Sequence, residues 1–260
     1  MADAGAGPVP GLLPAPLPCP AAGAFTTRVG GVSGGVWAQG NLGLHVDDDP
    51  DAVQANRRGL ARALGLAAGR LVFGQQVHGR GVAVVGPDPT PGAVPGVDGL
   101  VTRTRGLGLV MMAADCLPVL LADPAAGVVA SAHAGRAGLV EGVLEEVLAV
   151  MARLGATPGG TTAVLGPAVC GSCYELPGEL ADEVGRRVPG SRSTSRQGTP
   201  AADLTAGAEA LLAAAGVGRT SRVGGCTVEQ PDVFFSHRRS GVTGRHAGVV
   251  WLRPAGPVGG

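Results

Sequence analysis

Leu107 to Ala113, LGLVMMA, is an unbroken apolar run with neither a helical nor an alternating period. So short and uniform a run is a strand covered on both faces. It demands a layer above and a layer below, which a single sheet with one wet face cannot supply. Gly127 to Ala132 repeats the demand. Further strands are expected at Ala24 to Arg28 and Thr162 to Leu165. Arg70 to Val77 and Gly81 to Gly86 read as a pair around a turn at His78-Gly79. Phe234 to Arg239 and Ala247 to Leu252 are expected to close the sheet. Pro87 to Pro95 and Gly190 to Pro200 read as loops.

Helical periods alternate with these runs. Asp49-Pro50 offers a cap and a first-turn proline. Val53, Arg57, Leu60 and Leu64 follow at helical spacing, and Gly65 stops the helix. In Leu139 to Leu154, Val140, Leu144, Val147 and Met151 share one face, with Gly155 as the stop. Pro177 to Val188 and Asp203 to Ala215, capped by Asp203, complete the set. The loops and hairpins favour mixed sheets with outer helices over an all-parallel sheet.

At 260 residues the chain suits one large domain or two small ones. Twenty arginines balance 20 acidic residues and lysine is absent, so no global field favours nucleic acid. The missing lysine and isoleucine point to GC-rich coding, as in many bacteria. Five cysteines, an odd number in a long chain, argue against a disulfide framework. The Pro- and Ala-rich start has no basic residue and imitates a signal peptide poorly. No run approaches the roughly 20 apolar residues that span a bilayer. The expectation is a reduced, cytoplasmic protein with a disordered tail over residues 1–23 and one domain over residues 24–255.

Three residues carry the chemistry: His78 in QQVHG, Cys116 in AADCLPV and His133 in SAHAG. Each follows an apolar run and precedes a turn. Two imidazoles and a thiolate can hold zinc and leave a fourth position open. A thiol beside imidazoles can equally be an activated nucleophile. His133 is placed at a strand-to-helix junction, where helix amides point at a ligand. Cys170 and Cys173 form a C-x-x-C, half of a zinc knuckle or a redox pair. No second C-x-x-C or H-x-x-x-H follows, so two turn-region thiols are the preferred reading. The glycines of HAGRAG lack the Lys-Ser/Thr ending of a phosphate loop. Arg238, Arg239 and Arg245 in FFSHRRSGVTGR fit either an anion site or exposed surface.

Nine segments occur in order from Phe25 to Arg245: FTTRVGGVS, NLGLHVDDDP, ANRRGL, QQVHG, VDGLVT, AADCLPVLL, AHAG, GPAVCGSCYE and FFSHRRSGVTGR. Together they resemble the laccase-domain family, also called multicopper polyphenol oxidoreductases or peptidoglycan editing factors. The resemblance implies an α+β fold in four layers, α/β/β/α, with mixed sheets and two similar halves in one domain. It implies that His78, Cys116 and His133 ligate a metal, usually described as zinc, with copper the older description. It implies phosphorolysis of adenosine, inosine, guanosine and methylthioadenosine, and deamination of adenosine. Asn41, Arg57, Gln76, Asp98, Asp115 and Arg245 match pocket positions. The family's His-Ala-Gly-Trp-Arg-Gly is here His133-Ala134-Gly135-Arg136-Ala137-Gly138, which leaves open what Arg136 replaces.

On that basis Cys116, His133 and Asp115 are the expected catalytic residues, with Asp115 handling protons. Arg57, Arg136 or Arg245 would hold phosphate while it attacks the sugar C1′. The expected partners are a nucleoside and phosphate, without nucleic acid or membrane, and the expected state is a monomer. Three rivals stand beside this reading. A copper-dependent phenol oxidase must find ligands for further coppers among five histidines. A Cys-His amidohydrolase acting on a peptidoglycan precursor would use Cys116 as its nucleophile. A non-catalytic module would bind nucleoside without turnover.

Overall fold

The computed structural model describes residues 9–67 and 69–254. β1 (Leu12–Ala15) and β2 (Ala21–Thr26) open the chain, and a 3-10 turn at Gly35–Trp37 leads to α1 (Pro50–Ala63). β3 (Leu71–Gln75), β4 (Val82–Val84), β5 (Val94–Pro95) and β6 (Gly99–Thr102) are short. β7 (Gly108–Ala113), β8 (Leu117–Asp123) and β9 (Val128–Ala134) form the centre. Then come α2 (Arg136–Glu141), α3 (Val143–Arg153), β10 (Thr162–Leu165) and α4 (Gly178–Arg187). β11 (Arg192–Thr194), β12 (Pro200–Ala202), α5 (Leu204–Ala214), β13 (Arg219–Arg222), α6 (His237–Ser240) and β14 (His246–Leu252) complete the chain.

The strands make two six-stranded sheets, ordered β1-β2-β14-β7-β3-β5 and β13-β10-β8-β9-β6-β4, and β11 and β12 form a separate hairpin. Both sheets are mixed. β7 runs parallel to β3 and antiparallel to β14, and β10 runs parallel to β13 and antiparallel to β8.

Side-chain alternation along the central strands sets the layering. Leu109 and Met111 of β7 pack with Leu120, Ala122, Val129 and Val164 between the sheets. Their neighbours Val110 and Met112 face the other way, onto Leu60 of α1. Val119, Leu121, Ala130 and Ala132 face outward from the second sheet onto α3 and α5, through Leu144, Val147 and Leu212. The order is therefore helix, sheet, sheet, helix. Each buried leucine or valine in these layers contributes roughly 1.5–3 kcal/mol.

α1 begins and ends as its sequence requires. The Asp49 side chain accepts from the Asp51 N–H, Pro50 occupies the first turn, and Gly65 follows at φ +67°. Asp203 caps α5 by accepting from the Ala206 N–H.

Several expectations change. Residues 9–23, read as a disordered tail, include β1 and the start of β2, which pair antiparallel along the edge of the first sheet. Residues 1–8 and 255–260 lie outside the described residues. The expected pair around His78 separates, because β3 joins the first sheet and β4 the second. Phe234 to Arg239 is a turn entering α6, not a strand, and its two phenylalanines are buried. The helix read as Leu139 to Leu154 starts earlier and breaks at Gly142, whose φ of +90° separates α2 from α3. His133 lies inside β9 rather than after it.

Three connections carry the chain from the first sheet to the second: β3 to β4, β5 to β6 and β7 to β8. His78, Asp98 and Cys116 each fall in one of them. The seam between the sheets thus collects residues distant in sequence, as switch points do in other layered folds.

His246, the first residue of β14, is wholly buried, with its ring 5.5 Å from that of Phe234. Burial holds the imidazole neutral and pushes its pKa down to about 3, against the Pro167 backbone and with help from Arg245. An unfolded chain protonates near 6.5, so it takes up a proton that the folded chain refuses. Stability is therefore lost as pH falls from about 6.5 toward 3, by up to about 1.4 kcal/mol per pH unit for one such group. Denaturation midpoints measured across that window should fall less steeply for His246→Gln than for the parent. Equal slopes would assign the acid sensitivity elsewhere.

Candidate active site

The buried Asp98 carboxylate organises the site. Its Oδ2 accepts from the Val77 and Gly79 N–H groups at 3.1 and 2.9 Å, and its Oδ1 accepts from the His78 N–H at 3.0 Å. Oδ1 also meets His133 Nδ1 at 2.7 Å. The Asp98 carbonyl in turn accepts from the His133 N–H at 2.7 Å. Burial alone would raise the Asp98 pKa, but the bonds from His133, Val77 and Gly79 hold it below the usual carboxylate range. An ionised Asp98 fixes the proton on His133 Nδ1 and leaves Nε2 free as a ligand atom.

His78 sits at φ +60° where its loop wraps Asp98, and its ring meets that of His133 edge-on at 4.9 Å. Cys116 completes the group. One ligand atom from each of His78, Cys116 and His133 lies within 4.8 Å of the others. Burial raises the Cys116 thiol, and the neighbouring His133 and His78 overcome this and pull it well down toward thiolate. Burial lowers the His133 imidazole, and Cys116 and Asp98 overcome this and lift it. Two imidazoles and a ready thiolate, with a carboxylate behind one imidazole, fit a zinc ion with an open fourth position. Gly135 forms the floor. A Cβ there would lie 3.1 Å from both Cys116 Sγ and His78 Cδ2, tighter than ordinary contact, so any side chain would press on two of the ligands.

The three ligands line a cleft of roughly 1360 Å³. Arg57, Phe73, Gln76, Tyr174, Arg238 and Arg245 are also on its walls. Arg57 donates from Nε and Nη2 to the Leu42 carbonyl at 2.9 and 2.7 Å, and its guanidinium lies 3.7 Å over the Phe73 ring. Burial pushes its pKa down to about 10, so it stays charged at neutral pH. Arg245 donates to the Thr243 and Gly244 carbonyls. Its pKa is lowered by burial, against the nearby Cys116 and Asp115. Neither arginine is in an ion pair among the described residues. Two partly buried cations without acidic partners among the described residues thus line the same cleft as the metal-ligand group, a disposition suited to an anion.

Other expected pocket residues do different work. Asn41 is wholly buried and absent from the cleft wall. Its Oδ1 accepts from the Gly43 and Arg245 N–H groups, so it places the Arg245 backbone. Asp98 is likewise absent from the cleft lining and bonds His133 instead. Gln76 lines the cleft, but its amide exchanges two hydrogen bonds with the Met112 backbone, at 2.7 and 2.8 Å. Asp115, at φ +106°, accepts from Thr227 Oγ1 at 2.6 Å and from the Arg238 N–H at 2.7 Å. Arg136 starts α2 beside the Tyr174 hydroxyl rather than on the cleft wall.

Tyr174, with the Arg238 guanidinium 4.9 Å over its ring, was not singled out from sequence. Its available signals are that it is the chain's single tyrosine and that it lies in the GPAVCGSCYE segment. His45, also missed, lines the cleft and is held neutral by burial and by the charges of Arg245 and Arg57.

The comparisons agree with this architecture. Residues 22–253 match the family model described as multi-copper polyphenol oxidoreductase laccase. A Streptomyces griseus protein named purine nucleoside phosphorylase is 54% identical over 88% of this chain and 93% of its own length. A Deinococcus radiodurans protein of the same name is 43% identical over 88% of each chain. The crystal structure of YlmD from Geobacillus stearothermophilus superposes with a TM-score of 0.86 at 35% identity, covering 92% of this chain and 94% of YlmD. The chain belongs to the multi-copper polyphenol oxidoreductase laccase family.

Asp98→Asn tests the organising role. The amide cannot accept all four bonds as a carboxylate does. Chelator competition should show metal held some 10–100-fold more weakly, and thermal unfolding should reveal a loss of about 1–3 kcal/mol. Unchanged metal retention would show that Asp98 does not position His133.

Proposed function

We propose that this chain is a zinc-dependent purine nucleoside phosphorylase. It would cleave adenosine, inosine, guanosine and methylthioadenosine with phosphate, and would also deaminate adenosine. One observation carries the reading: a three-ligand metal group and two arginines that form no ion pair among the described residues line one cleft. The names of relatives that match over most of the chain support it.

His78, Cys116 and His133 would hold the metal, and Asp98 would keep the His133 ring oriented. When bound, zinc supplies a Lewis acid with an open coordination position. Arg57 and Arg245 bind phosphate and hold its charge at the sugar. A phosphate oxygen forms a bond to C1′ as the C1′–N9 bond breaks, and the electron pair leaves with the purine, which takes up a proton. Tyr174, on the cleft lining, presents an aromatic edge for the base or sugar, while Phe73 is buried beneath Arg57 and supports it. Asp115 anchors Arg238 and the turn before Cys116; both its oxygens already accept bonds, so it handles a proton in deamination only when one is released. Arg136 acts through Tyr174 in this scheme, not on phosphate.

Among the described residues, two side-chain groups could hold a metal, and neither includes a histidine beyond His78 and His133. A multicopper oxidase needs several further imidazoles, so phosphorolysis is the stronger reading. Among the described residues, no helix is long and apolar enough to cross a membrane. A monomer working in the cytoplasm on a nucleoside and phosphate completes the proposal.

Chromatography of zinc-loaded protein with inosine or adenosine, with and without phosphate, tests it. Free base should appear only with phosphate and should vanish in His133→Ala. Arg245→Gln should lower kcat/KM for phosphate by about 100-fold while adenosine deamination, which consumes no phosphate, falls far less. Full turnover by metal-free protein would overturn the reading in favour of a Cys116 nucleophile.

A further inference from the structure

A second cluster lies outside the cleft, and the phosphorylase scheme has no use for it. Cys170 and Cys173 come from the turn after β10, and Cys226 and Glu229 from the turn after β13. One ligand atom from each of the four lies within 4.8 Å of all the others. The Cys170 and Cys173 thiols each donate to Glu229 Oε1 at 3.3 Å, and the Cys170 N–H approaches Cys226 Sγ at 3.4 Å. All three sulfurs are free thiols.

We propose that these four residues form a closed structural zinc site, distinct from the His78-Cys116-His133 group. The sequence shows only one C-x-x-C, which looks like half a knuckle. The structure supplies the other half as C-x-x-E, Cys226 to Glu229, brought alongside by a parallel bridge between Ala168 and Cys226. Each half is a hydrogen-bonded turn: the Cys173 N–H donates to the Cys170 carbonyl at 2.9 Å, and the Gln230 N–H to the Cys226 carbonyl at 3.1 Å. Paired short turns presenting two ligands each are the usual construction of a four-coordinate zinc knuckle. Three thiolates select a soft or borderline ion, and four protein ligands leave no position for substrate. A disulfide would use two sulfurs and explain neither the third nor the carboxylate. Arg196, ion-paired to Glu229, offsets part of the site's negative charge.

The position gives the site a task. Tyr174 follows Cys173 directly and lines the cleft. Thr227 follows Cys226 directly and donates to Asp115, which holds the Arg238 N–H. Zinc here would clip together the two segments that present Tyr174 and Arg238, fixing one wall of the cleft without touching substrate.

Metal content of the reduced, full-length protein tests this independently of turnover. Two zinc ions per chain are expected, one remaining in Cys173→Ser and one in His133→Ala, with a lower unfolding temperature for Cys173→Ser. One zinc per chain, unchanged by Cys173→Ser, would overturn the proposal. So would a Cys170–Cys173 disulfide that persists under reductant. If Cys173→Ser does not fold, cobalt loaded into His133→Ala decides the matter. Thiolate-to-cobalt charge-transfer bands of three-thiolate intensity there support the second site, since the first site keeps only Cys116 as a thiolate, and bands no stronger than one thiolate gives exclude it. Failure of the phosphorolysis assay alone would leave the two-zinc count untouched, so the two proposals fall separately.

Discussion

The geometry of the cleft depends on one buried carboxylate. Isolated in an apolar interior, an ionised Asp98 would cost several kcal/mol. It persists because the β3–β4 connection turns three consecutive N–H groups onto it while His133 Nδ1 approaches from β9. That convergence explains why His78 accepts a left-handed backbone, a conformation that costs a non-glycine residue of order 1–3 kcal/mol. Two metal ligands thereby become mechanically linked: His78 through its backbone, His133 through its ring. Cys116 is linked to both electrostatically: both imidazoles favour its thiolate, and the thiolate in turn favours the charged form of His133.

The layering decides where this can happen. A strand buried on both faces offers no room for polar chemistry along its length. The polar residues must therefore gather where the chain leaves one sheet for the other. β7 ends at Ala113, Cys116 occupies the crossing, and β8 begins at Leu117 in the second sheet. Asp115 takes up the sharp change of direction at positive φ, and its carboxylate is used to hold Thr227 and Arg238 across the same seam. Along β9, residues 129 and 133 share the face toward the first sheet, which places the His133 ring in the seam rather than against α3.

Local sequence carries the elements better than their partners. The run Leu107 to Ala113 reveals a doubly covered strand, and Asp49-Pro50 with Gly65 brackets α1 almost to the residue. Nothing local says that β3 and β4 enter different sheets; His78-Gly79 looks like a hairpin turn because the crossing is short. The three metal-ligand candidates were legible as residue types at strand ends. Asp98 and Asn41 were legible as site positions but not in their roles, since a buried polar group's partners lie far away in sequence. Asn41 bonds a backbone 204 positions later. The same distance hides the Cys226–Glu229 half from any reading of the C-x-x-C.

Charge placement separates the two chemical demands on the cleft. A chain with no net charge still keeps Arg57 and Arg245 partly buried and, among the described residues, without an ion-pair partner. Leaving guanidinium groups so disposed is unfavourable unless backbone carbonyls and an aromatic face compensate, and here Leu42, Thr243, Gly244 and Phe73 do so. Those neutral partners stabilise the cations without cancelling their charge, whereas a carboxylate would neutralise them and repel an incoming anion. The aspartates nearest the site are instead spent elsewhere, Asp98 on His133 and Asp115 on Thr227 and Arg238. The two guanidinium groups therefore keep their positive charge available in the cleft, the condition under which the proposed phosphate would be held.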